Sequence, residues 1–388
     1  MLTFMKINFM NKEILTFIQS IYPDSASILL HCPEFFGNEM KYLAECLDTK
    51  YVSYIGRFVS DMEGKVKEIT KANHAVALVN GTVALHMLLL AIGIKAGDEV
   101  ITQSFSFVAT AAAIVHAQGT PVFVDVEQST LGMSPESLKY FLIKNAVVVD
   151  GKCYNKKTMR QIKAVIPMHT FGHPVRIEEI QQICDEYLLV HIEDAAESLG
   201  SFYKKKHTGT FGKAGILSFN GNKLVTTGGG GMVITDDEEI ANRVRYISTT
   251  AKRSHPWEFY HDEVGYNFRL PSLNAAIGLA QLECFEYIIE NKRETAHLYQ
   301  KFFETLGVKF ITEPDNTKSN YWLNAILFDN RKQRDEFLEY SNNNGVQTRP
   351  AWTLLHTLPP YQHYQHTKMP NAEYVVDRLV NIPSSVRV

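Results

Sequence analysis

The chain has 388 residues, of which 45% are hydrophobic and 21% are charged, and it carries a formal net charge of -3. This is the composition of a globular protein with room for about two domains, so disordered and fibrous classes are excluded. The longest basic run is only Lys204 to Lys206, and we therefore expect no nucleic-acid partner.

The cysteines and the apolar runs bear on the cellular compartment. The five cysteines are scattered and form no Cys-x-x-Cys pair, which argues against a disulfide framework or a zinc site and favours a reducing cytoplasm. The longest apolar run, Val83 to Ile94, contains His86 and is too short to span a bilayer, so we expect no membrane partner. The N-terminal MLTFMKINFM lacks the charged leader and the cleavage site of a signal peptide.

The first predicted element is a peripheral helix within residues 1–30. Its apolar face repeats at spacings of three and four, with Ile14, Phe17, Ile18 and Ile21. Residues 31–63 then contain a second amphipathic run, Glu39 to Leu47, and an aromatic-rich loop.

From His74 onward, strands and helices alternate along the chain. Continuous apolar strands separated by helices predict an α/β fold with a mostly parallel sheet covered on both faces. Ser134 and Pro135 mark the start of one helix as its N-cap and first turn. The predicted strands are Ala75–Val79, Glu99–Thr102, Pro121–Val126, Ala164–Met168, Leu188–Ile192, Ile216–Phe219 and Met232–Thr235, and the predicted helices are Thr82–Ile94, Ala109–Ala117 and Ile177–Tyr187.

After Asp236 the pattern changes to long helices, predicted at Glu238–Ser248 and Leu273–Arg293. A short strand, Tyr321–Phe328, and a helix, Arg331–Asn342, then predict a smaller C-terminal α+β domain. The predicted division is an N-terminal helical segment, a large ligand-binding domain and a small C-terminal domain, at residues 1–30, 31–250 and 251–388.

The central stretch of the sequence is Gly215 to Asp236, in which two strand-like runs flank a polar turn with one lysine, Lys223. A lone lysine in such a turn is usually a solvated hairpin residue. Here Ser218 precedes it and four glycines, Gly228–Gly231, follow it. A hydroxyl and glycine amides suit a phosphate, and a lysine amine suits a carbonyl. Both groups occur in pyridoxal phosphate, so we interpret the stretch as a candidate site for that cofactor.

Further candidates follow the predicted strands, because ligands of parallel α/β sheets bind beyond the carboxyl ends of the strands. Gly81 and Thr82 begin a helix whose amides and dipole favour an anion, although such residues often form a simple cap. Phe107 follows the second strand, where it would either stack on a planar ring or belong to the core.

Asp194 ends an apolar strand, a position at which a carboxylate needs a cationic partner. A protonated pyridine nitrogen would supply that partner and could then accept electrons from a forming carbanion. The alternative is that Asp194 caps the next helix. His169 and His173 are four residues apart but have no carboxylate partner in the sequence, so we predict no metal site.

These residues carry a resemblance to a known family. The segments EDAAE (Glu193–Glu197), SFNGNK (Ser218–Lys223) and GYNFRLP (Gly265–Pro271) resemble motifs of the DegT/DnrJ/EryC1/StrS nucleotide-sugar aminotransferases, which are fold type I pyridoxal phosphate enzymes. The motifs occur in the family's order, and the resemblance extends from about residue 30 to the C terminus. It implies an aspartate-aminotransferase-like fold with a mostly parallel seven-stranded sheet between helices.

The resemblance also implies roles for individual residues. Lys223 would be the covalent anchor of pyridoxal phosphate and the base that moves the proton, and Asp194 would pair with the pyridinium. The other implied contacts are Gly81, Thr82 and Ser218 at the phosphate, Phe107 on the ring face and Glu197 near the ring hydroxyl. Many family members have glutamine at the position of Glu197.

The implied assembly is a homodimer with shared active sites, in which Asn267 reaches the phosphate of the neighbouring subunit. Some relatives are dehydratases with histidine in place of the lysine, so the retained Lys223 favours transamination. In that reaction glutamate donates the amino group, pyridoxamine phosphate carries it, and a ketosugar accepts it.

Two stretches bear on the substrate, His31–Glu39 and Thr250–Glu258. They look most like the subgroup that aminates C4 of a UDP-linked 4-keto-6-deoxy-N-acetylhexosamine, in pathways to bacillosamine or legionaminic acid of surface glycans. Two alternatives stay open: another ketosugar, linked to GDP or dTDP or carrying a C3 ketone, and a non-catalytic regulatory protein that binds pyridoxal phosphate. His255, Arg269, Arg349 and Trp352 could contact a diphosphate, a uracil or a sugar, or could equally be surface or interface residues, so no firm role is assigned to them.

Overall fold

The computed structural model describes residues 2–23 and 27–387, with the side chains of the first segment described from residue 9. The predicted N-terminal helix is confirmed within residues 2–21, residues 1 and 24–26 of the predicted segment lie outside the described part, and residues 27–30 are not helical. The described α-helices are α1 (Leu2–Ile21), α2 (Glu39–Thr49), α3 (Arg57–Thr70), α4 (Gly81–Ala91), α5 (Val108–His116), α6 (Pro135–Asn145), α7 (Ile177–Glu186), α8 (Glu238–Ile247), α9 (Ser272–Glu283), α10 (Phe285–Leu306), α11 (Arg331–Asn343) and α12 (Pro370–Val376).

The strands belong to one large sheet and several smaller ones. Those of the described chain are β1 (His74–Leu78), β2 (Glu99–Gln103), β3 (Thr120–Val124), β4 (Ala146–Val149), β5 (Lys152–Asn155), β6 (Ile162–Ile166), β7 (Val190–Asp194), β8 (Phe202–Tyr203), β9 (Lys206–His207), β10 (Ala214–Ser218), β11 (Gly231–Thr235), β12 (Lys309–Phe310), β13 (Thr317–Lys318), β14 (Asn324–Leu327), β15 (Arg349–Pro350) and β16 (Leu379–Ile382).

The large sheet has seven strands in the order β1-β11-β10-β7-β6-β2-β3. Neighbouring strands are parallel except at β11, which runs antiparallel to both β1 and β10. Side chains of β1 alternate between two hydrophobic clusters, one on each face of the sheet. Val76 of β1 packs in a cluster with α4 and α8, and Ala77 packs in another with α3 and α9. The predicted α/β fold with a mostly parallel sheet between helices is therefore confirmed.

One predicted helix is wrong in its continuity. Leu273–Arg293 was expected to be a single helix, but the chain turns at Cys284, which ends α9 and precedes α10. Neither glycine nor proline marks the break. The turn arises from packing, since α9 lies against α2 and α3. The predicted strand Tyr321–Phe328 is also shorter in the structure, because Tyr321 has a positive φ of 48° and only β14 is extended.

A four-stranded sheet, β12-β14-β16-β15, forms the centre of the C-terminal part. Helix α1 packs here rather than standing apart: Ile14 and Ile18 are fully buried in one cluster with Tyr299 and Phe303 of α10. The smaller α+β domain is thus present, and the boundaries at residues 30 and 250 stay predictions. Within the described residues, no helix combines the length and the apolar character needed to cross a bilayer.

Candidate active site

A cavity of about 640 Å³ lies at the carboxyl ends of the parallel strands. The structure brings together at this cavity seven of the predicted site residues: Gly81, Thr82, Phe107, Asp194, Glu197, Ser218 and Lys223. They come from the ends of β1, β2, β7 and β10 and from the connection between β10 and β11. The eighth, Asn267, is exposed and does not line the cavity of its own chain.

The start of α4 forms one end of the cavity. Asn80 is its N-cap, and the Asn80 side chain accepts a hydrogen bond from the Val83 amide at 2.8 Å. Asn80 is therefore the capping residue, so Gly81 and Thr82 do not cap the helix. They belong to its first turn. A Cβ on Gly81 would lie 3.1 Å from the Ser218 Cβ, so glycine lets this helix end meet β10. A helix N terminus beside a hydroxyl fits a phosphate.

The glycine run has a different role from the one expected. Gly228–Gly231 do not line the cavity, so the prediction that they approach a ligand is wrong. A Cβ on Gly231 would lie 2.3 Å from the Asn80 carbonyl carbon, and one on Gly230 would lie 2.2 Å from the Thr227 hydroxyl. Gly231 thus lets β11 pass close to the turn that begins α4, and Gly230 leaves room for the Thr227 side chain.

Asp194 lies at the end of β7 and is 4% exposed. Its carboxylate accepts hydrogen bonds from the Thr110 hydroxyl at 2.6 Å and from the Ala196 amide at 3.2 Å. No α-helix begins after it, so the capping alternative is wrong. Within the described chain no cationic side chain pairs with it. Burial raises the pKa of Asp194, and the Thr110 hydrogen bond opposes that shift, so a protonated pyridine nitrogen would be a fitting partner.

Lys223 is not a solvated hairpin residue, because only 11% of its side chain is exposed. Its Nζ donates to the Glu197 Oε1 at 3.0 Å and lies 3.7 Å from the centre of the Trp322 ring. The other oxygen of Glu197 accepts from the Phe171 amide at 2.9 Å. Burial raises the pKa of Glu197, and the charge of Lys223 opposes this shift.

Phe107 offers a flat apolar surface to the cavity. It stands at the N-cap of α5 and is 50% exposed, whereas its neighbour Phe105 is fully buried. The core alternative for Phe107 is therefore wrong, and it is Phe105 that belongs to the core. A half-exposed phenyl ring beside a cavity is suited to stacking on a planar ligand.

A second buried pair lies beneath the site. Glu193 accepts from the His169 Nε2 at 2.9 Å and from the Gly212 amide at 2.9 Å, so His169 does have the carboxylate partner that the sequence did not reveal. Burial opposes ionisation, but the hydrogen bond from His169 and the nearby amides lower the pKa of Glu193 to about 2. Among the described residues, no cluster of three or more potential metal ligands is present.

Sequence reasoning missed three contributors to the site: Thr110, Asn222 and Trp322. Thr110 is separated from Asp194 by 84 residues and Trp322 from Asn222 by 100, so no local pattern joins them. The residues left without a role divide into two groups. Arg349 and Trp352 line the cavity. Arg269 and His255 lie outside it: Arg269 is buried against Glu63, and His255 is exposed in a loop.

A lysine and a buried carboxylate at the strand ends of such a sheet, next to a helix N terminus whose amides suit an anion, are the arrangement of a pyridoxal phosphate enzyme of fold type I. The chain belongs to the DegT/DnrJ/EryC1/StrS aminotransferase family, whose sequence profile matches residues 34–388. It is a pyridoxal phosphate-dependent sugar aminotransferase.

Individual relatives agree with this assignment. The chain is 36% identical to the GDP-perosamine synthase of Escherichia coli O157:H7, over 92% of this chain and 93% of the relative. A DegT/DnrJ/EryC1/StrS aminotransferase from Brucella abortus is 27% identical with a TM-score of 0.80, over 89% of this chain and 90% of that one. The DesI structure with its TDP-sugar product is 26% identical with a TM-score of 0.81, over 93% and 89%.

Proposed function

We propose that this chain transfers the amino group of glutamate to the keto carbon of a nucleotide-linked sugar, with Lys223 and Asp194 as its catalytic residues. The carrying observation is that one cavity contains a sequestered lysine amine, a buried carboxylate with no cationic side chain paired to it among the described residues, and a helix start whose amides suit an anion. Bound pyridoxal phosphate supplies the electron sink of the reaction, and pyridoxamine phosphate is the form that holds the amino group between its two halves.

The residues of the cavity divide the work. Gly81, Thr82 and Ser218 would hold the phosphate, and Asp194 would keep the ring nitrogen protonated. Lys223 would hold the cofactor through its aldehyde group, and as a free amine it would be the base that moves the proton at the donor's α-carbon. Glu197, 3.0 Å from that amine, orients it toward the cavity.

The sugar nucleotide is proposed from two sources that differ. The relative from Escherichia coli is named for a GDP-linked aminosugar, which supports a GDP-linked ketosugar as the acceptor. The UDP-linked 4-keto-6-deoxy-N-acetylhexosamine rests on the stretches His31–Glu39 and Thr250–Glu258 alone, so the GDP-linked acceptor is the better supported. Turnover with GDP-, UDP- and TDP-linked 4-ketosugars at equal concentration decides between them, and activity confined to the UDP-linked sugar would reverse our preference.

The active form is proposed to be a homodimer with shared sites. Asn267 lies outside the cavity of its own chain, so its expected phosphate contact needs a second subunit. Mixing Lys223→Ala and Asn267→Ala subunits tests this, because hybrid dimers would contain one site without either change. Recovery of activity on mixing two inactive variants supports sharing, and a mixture no more active than its components contradicts it.

Absorbance spectroscopy tests the chemistry. The wild-type protein, mixed with pyridoxal phosphate, is expected to show the band of a lysine-bound cofactor, and glutamate should bleach it. Lys223→Ala should show neither the band nor a conjugate after borohydride reduction. A wild-type protein that gives no band, or a Lys223→Ala protein that retains it, would refute the role of Lys223.

A further inference from the structure

The segment Ser319–Trp322 joins the two members of the Lys223–Glu197 pair. The Asn320 side-chain amide donates to the backbone oxygens of Glu197 and Leu199, both at 2.9 Å, and its oxygen accepts from the Trp322 amide at 2.8 Å. The residue between them, Tyr321, has a positive φ of 48°. A bulky residue is rarely found in this conformation, so the surrounding contacts hold the turn in place.

Trp322 stands at the end of this turn and is 4% exposed. Its indole N–H donates to the backbone oxygen of Asn222 at 2.7 Å, and its ring covers the Lys223 Nζ at 3.7 Å from the ring centre. It thus contacts the connection that contains the lysine through the backbone and through the amine at the same time.

The backbone of Trp322 is fixed from behind by Lys292 of α10. The Lys292 Nζ donates to the Trp322 oxygen at 2.7 Å and also to the Ser384 oxygen. Lys292 is fully buried without a carboxylate partner in the described chain, and burial holds its pKa well below the usual range. A buried amine directed at two carbonyl oxygens leaves Trp322 little freedom to shift.

We propose that Trp322 is a positioning residue that holds the Lys223 amine in the orientation required for attack on the cofactor aldehyde. This inference rests on the proposed anchor role of Lys223. A lysine side chain has four rotatable bonds, and fixing it before the reaction removes an entropic part of the barrier. The ring face also attracts the ammonium form, so the amine stays over the ring rather than in solvent.

The test compares Trp322→Leu and Trp322→Phe with the wild type. Attachment of pyridoxal phosphate is followed by absorbance and by intact mass after borohydride reduction, over a range of cofactor concentrations. The limiting rate should fall about ten-fold in the Leu variant. The Phe variant, which keeps the ring but loses the indole N–H, should recover part of that rate. The half-saturating concentration, set by the phosphate contacts, should stay within about two-fold of the wild type.

Phe337→Leu is the matched control, because Phe337 is fully buried in α11 and packs in a different cluster. It should lower thermal stability without changing the limiting rate. A wild-type limiting rate in Trp322→Leu overturns the proposal, as does an equal slowing in Phe337→Leu. If the Leu variant does not fold, a wild-type rate in Trp322→Phe overturns the role of the indole N–H. If the wild-type protein forms no conjugate with pyridoxal phosphate, the anchor role of Lys223 is overturned. This outcome differs from a failure of the Trp322 proposal, in which the wild type still forms the conjugate.

Discussion

Replacing Asp194 by asparagine separates the chemistry of the site from its architecture. The change is nearly isosteric, and both present contacts can survive it. The amide oxygen can still accept from Ala196, and the Thr110 hydroxyl, which now donates at 2.6 Å, can accept from the new amide nitrogen. What is lost is the negative charge that would keep the ring nitrogen of the cofactor protonated.

The size of the effect follows from this loss. A charge pair at the length of a normal hydrogen bond, about 3 Å, is worth about 5 kcal/mol at an effective dielectric constant of about 20. A neutral hydrogen bond that remains returns about 1 kcal/mol. The difference of about 4 kcal/mol corresponds to a rate lower by about 10³, so Asp194→Asn should retain the cofactor and lose nearly all turnover.

The same change should stabilise the protein without its cofactor. Because burial raises the folded-state pKa of Asp194 above its ordinary value of 3.8, its contribution to stability is complete below that value and is lost as pH rises through the folded pKa. At neutral pH the ionised carboxylate therefore costs stability, and the asparagine variant avoids this cost. The gain should disappear in acid.

Three measurements check these expectations: the rate of the half-reaction with glutamate, the cofactor content, and urea unfolding of the cofactor-free proteins near neutral and acidic pH. Thr110→Val serves as a control that removes the hydrogen bond and keeps the charge. A variant that turns over at the wild-type rate would refute the electrostatic role of Asp194. A cofactor-free variant less stable than the wild type at neutral pH would refute the argument from burial.

Two further predictions concern the framework of the site. Gly231→Ala places a Cβ 2.3 Å from the Asn80 carbonyl carbon, so we expect the free energy of unfolding in urea to fall by about 2–3 kcal/mol and cofactor binding to weaken. The control is Gly64→Ala in α3, where a Cβ would have no atom within 4 Å, and it should raise the free energy of unfolding by about 0.5–1 kcal/mol. Equal effects of the two variants would contradict the packing argument. Glu193→Gln should make the free energy of unfolding depend less on pH in acid. On folding, the pKa of the Glu193 carboxylate falls from 4.5 to about 2 beside His169, so its contribution to stability is lost as pH falls through that window. An unchanged pH profile of the unfolding free energy would contradict this.

The alternation of strands and helices could be predicted because buried parallel strands appear as continuous apolar runs. Their ends differ from the prediction by a few residues, as at β7, predicted to end at Ile192 and extending to Asp194. The break at Cys284 could not be predicted, since the apolar periodicity continues through it and the direction of each helix is set by the surfaces it covers. Here tertiary packing overrides local propensity.

The site was predictable in the part that the sheet determines. Parallel strands end at the same edge, so residues that follow different strands converge whatever their separation in sequence. The register places Asp194 beside Ile216 and Ser218 beside Gly231, which brings Asp194 and Ser218 to the same edge of the sheet. The role of the glycine run could not be predicted from the sequence. A glycine is required wherever another group approaches the backbone closely, whether that group belongs to a ligand or to the chain itself.

Lys223 differs in kind from these strand-end residues. It lies on a connection, where no ladder of backbone hydrogen bonds fixes its side chain, and its orientation depends on Glu197 and Trp322. Trp322 precedes β14 of the other sheet and is held by Lys292 of α10. We therefore expect the strand-end residues of the large sheet to contribute to cofactor binding, and the packing of Trp322 against the connection to affect the reactivity of the lysine. A substitution of Lys292, which contacts Trp322 and does not line the cavity, is therefore expected to alter the rate of chemistry more than the cofactor affinity.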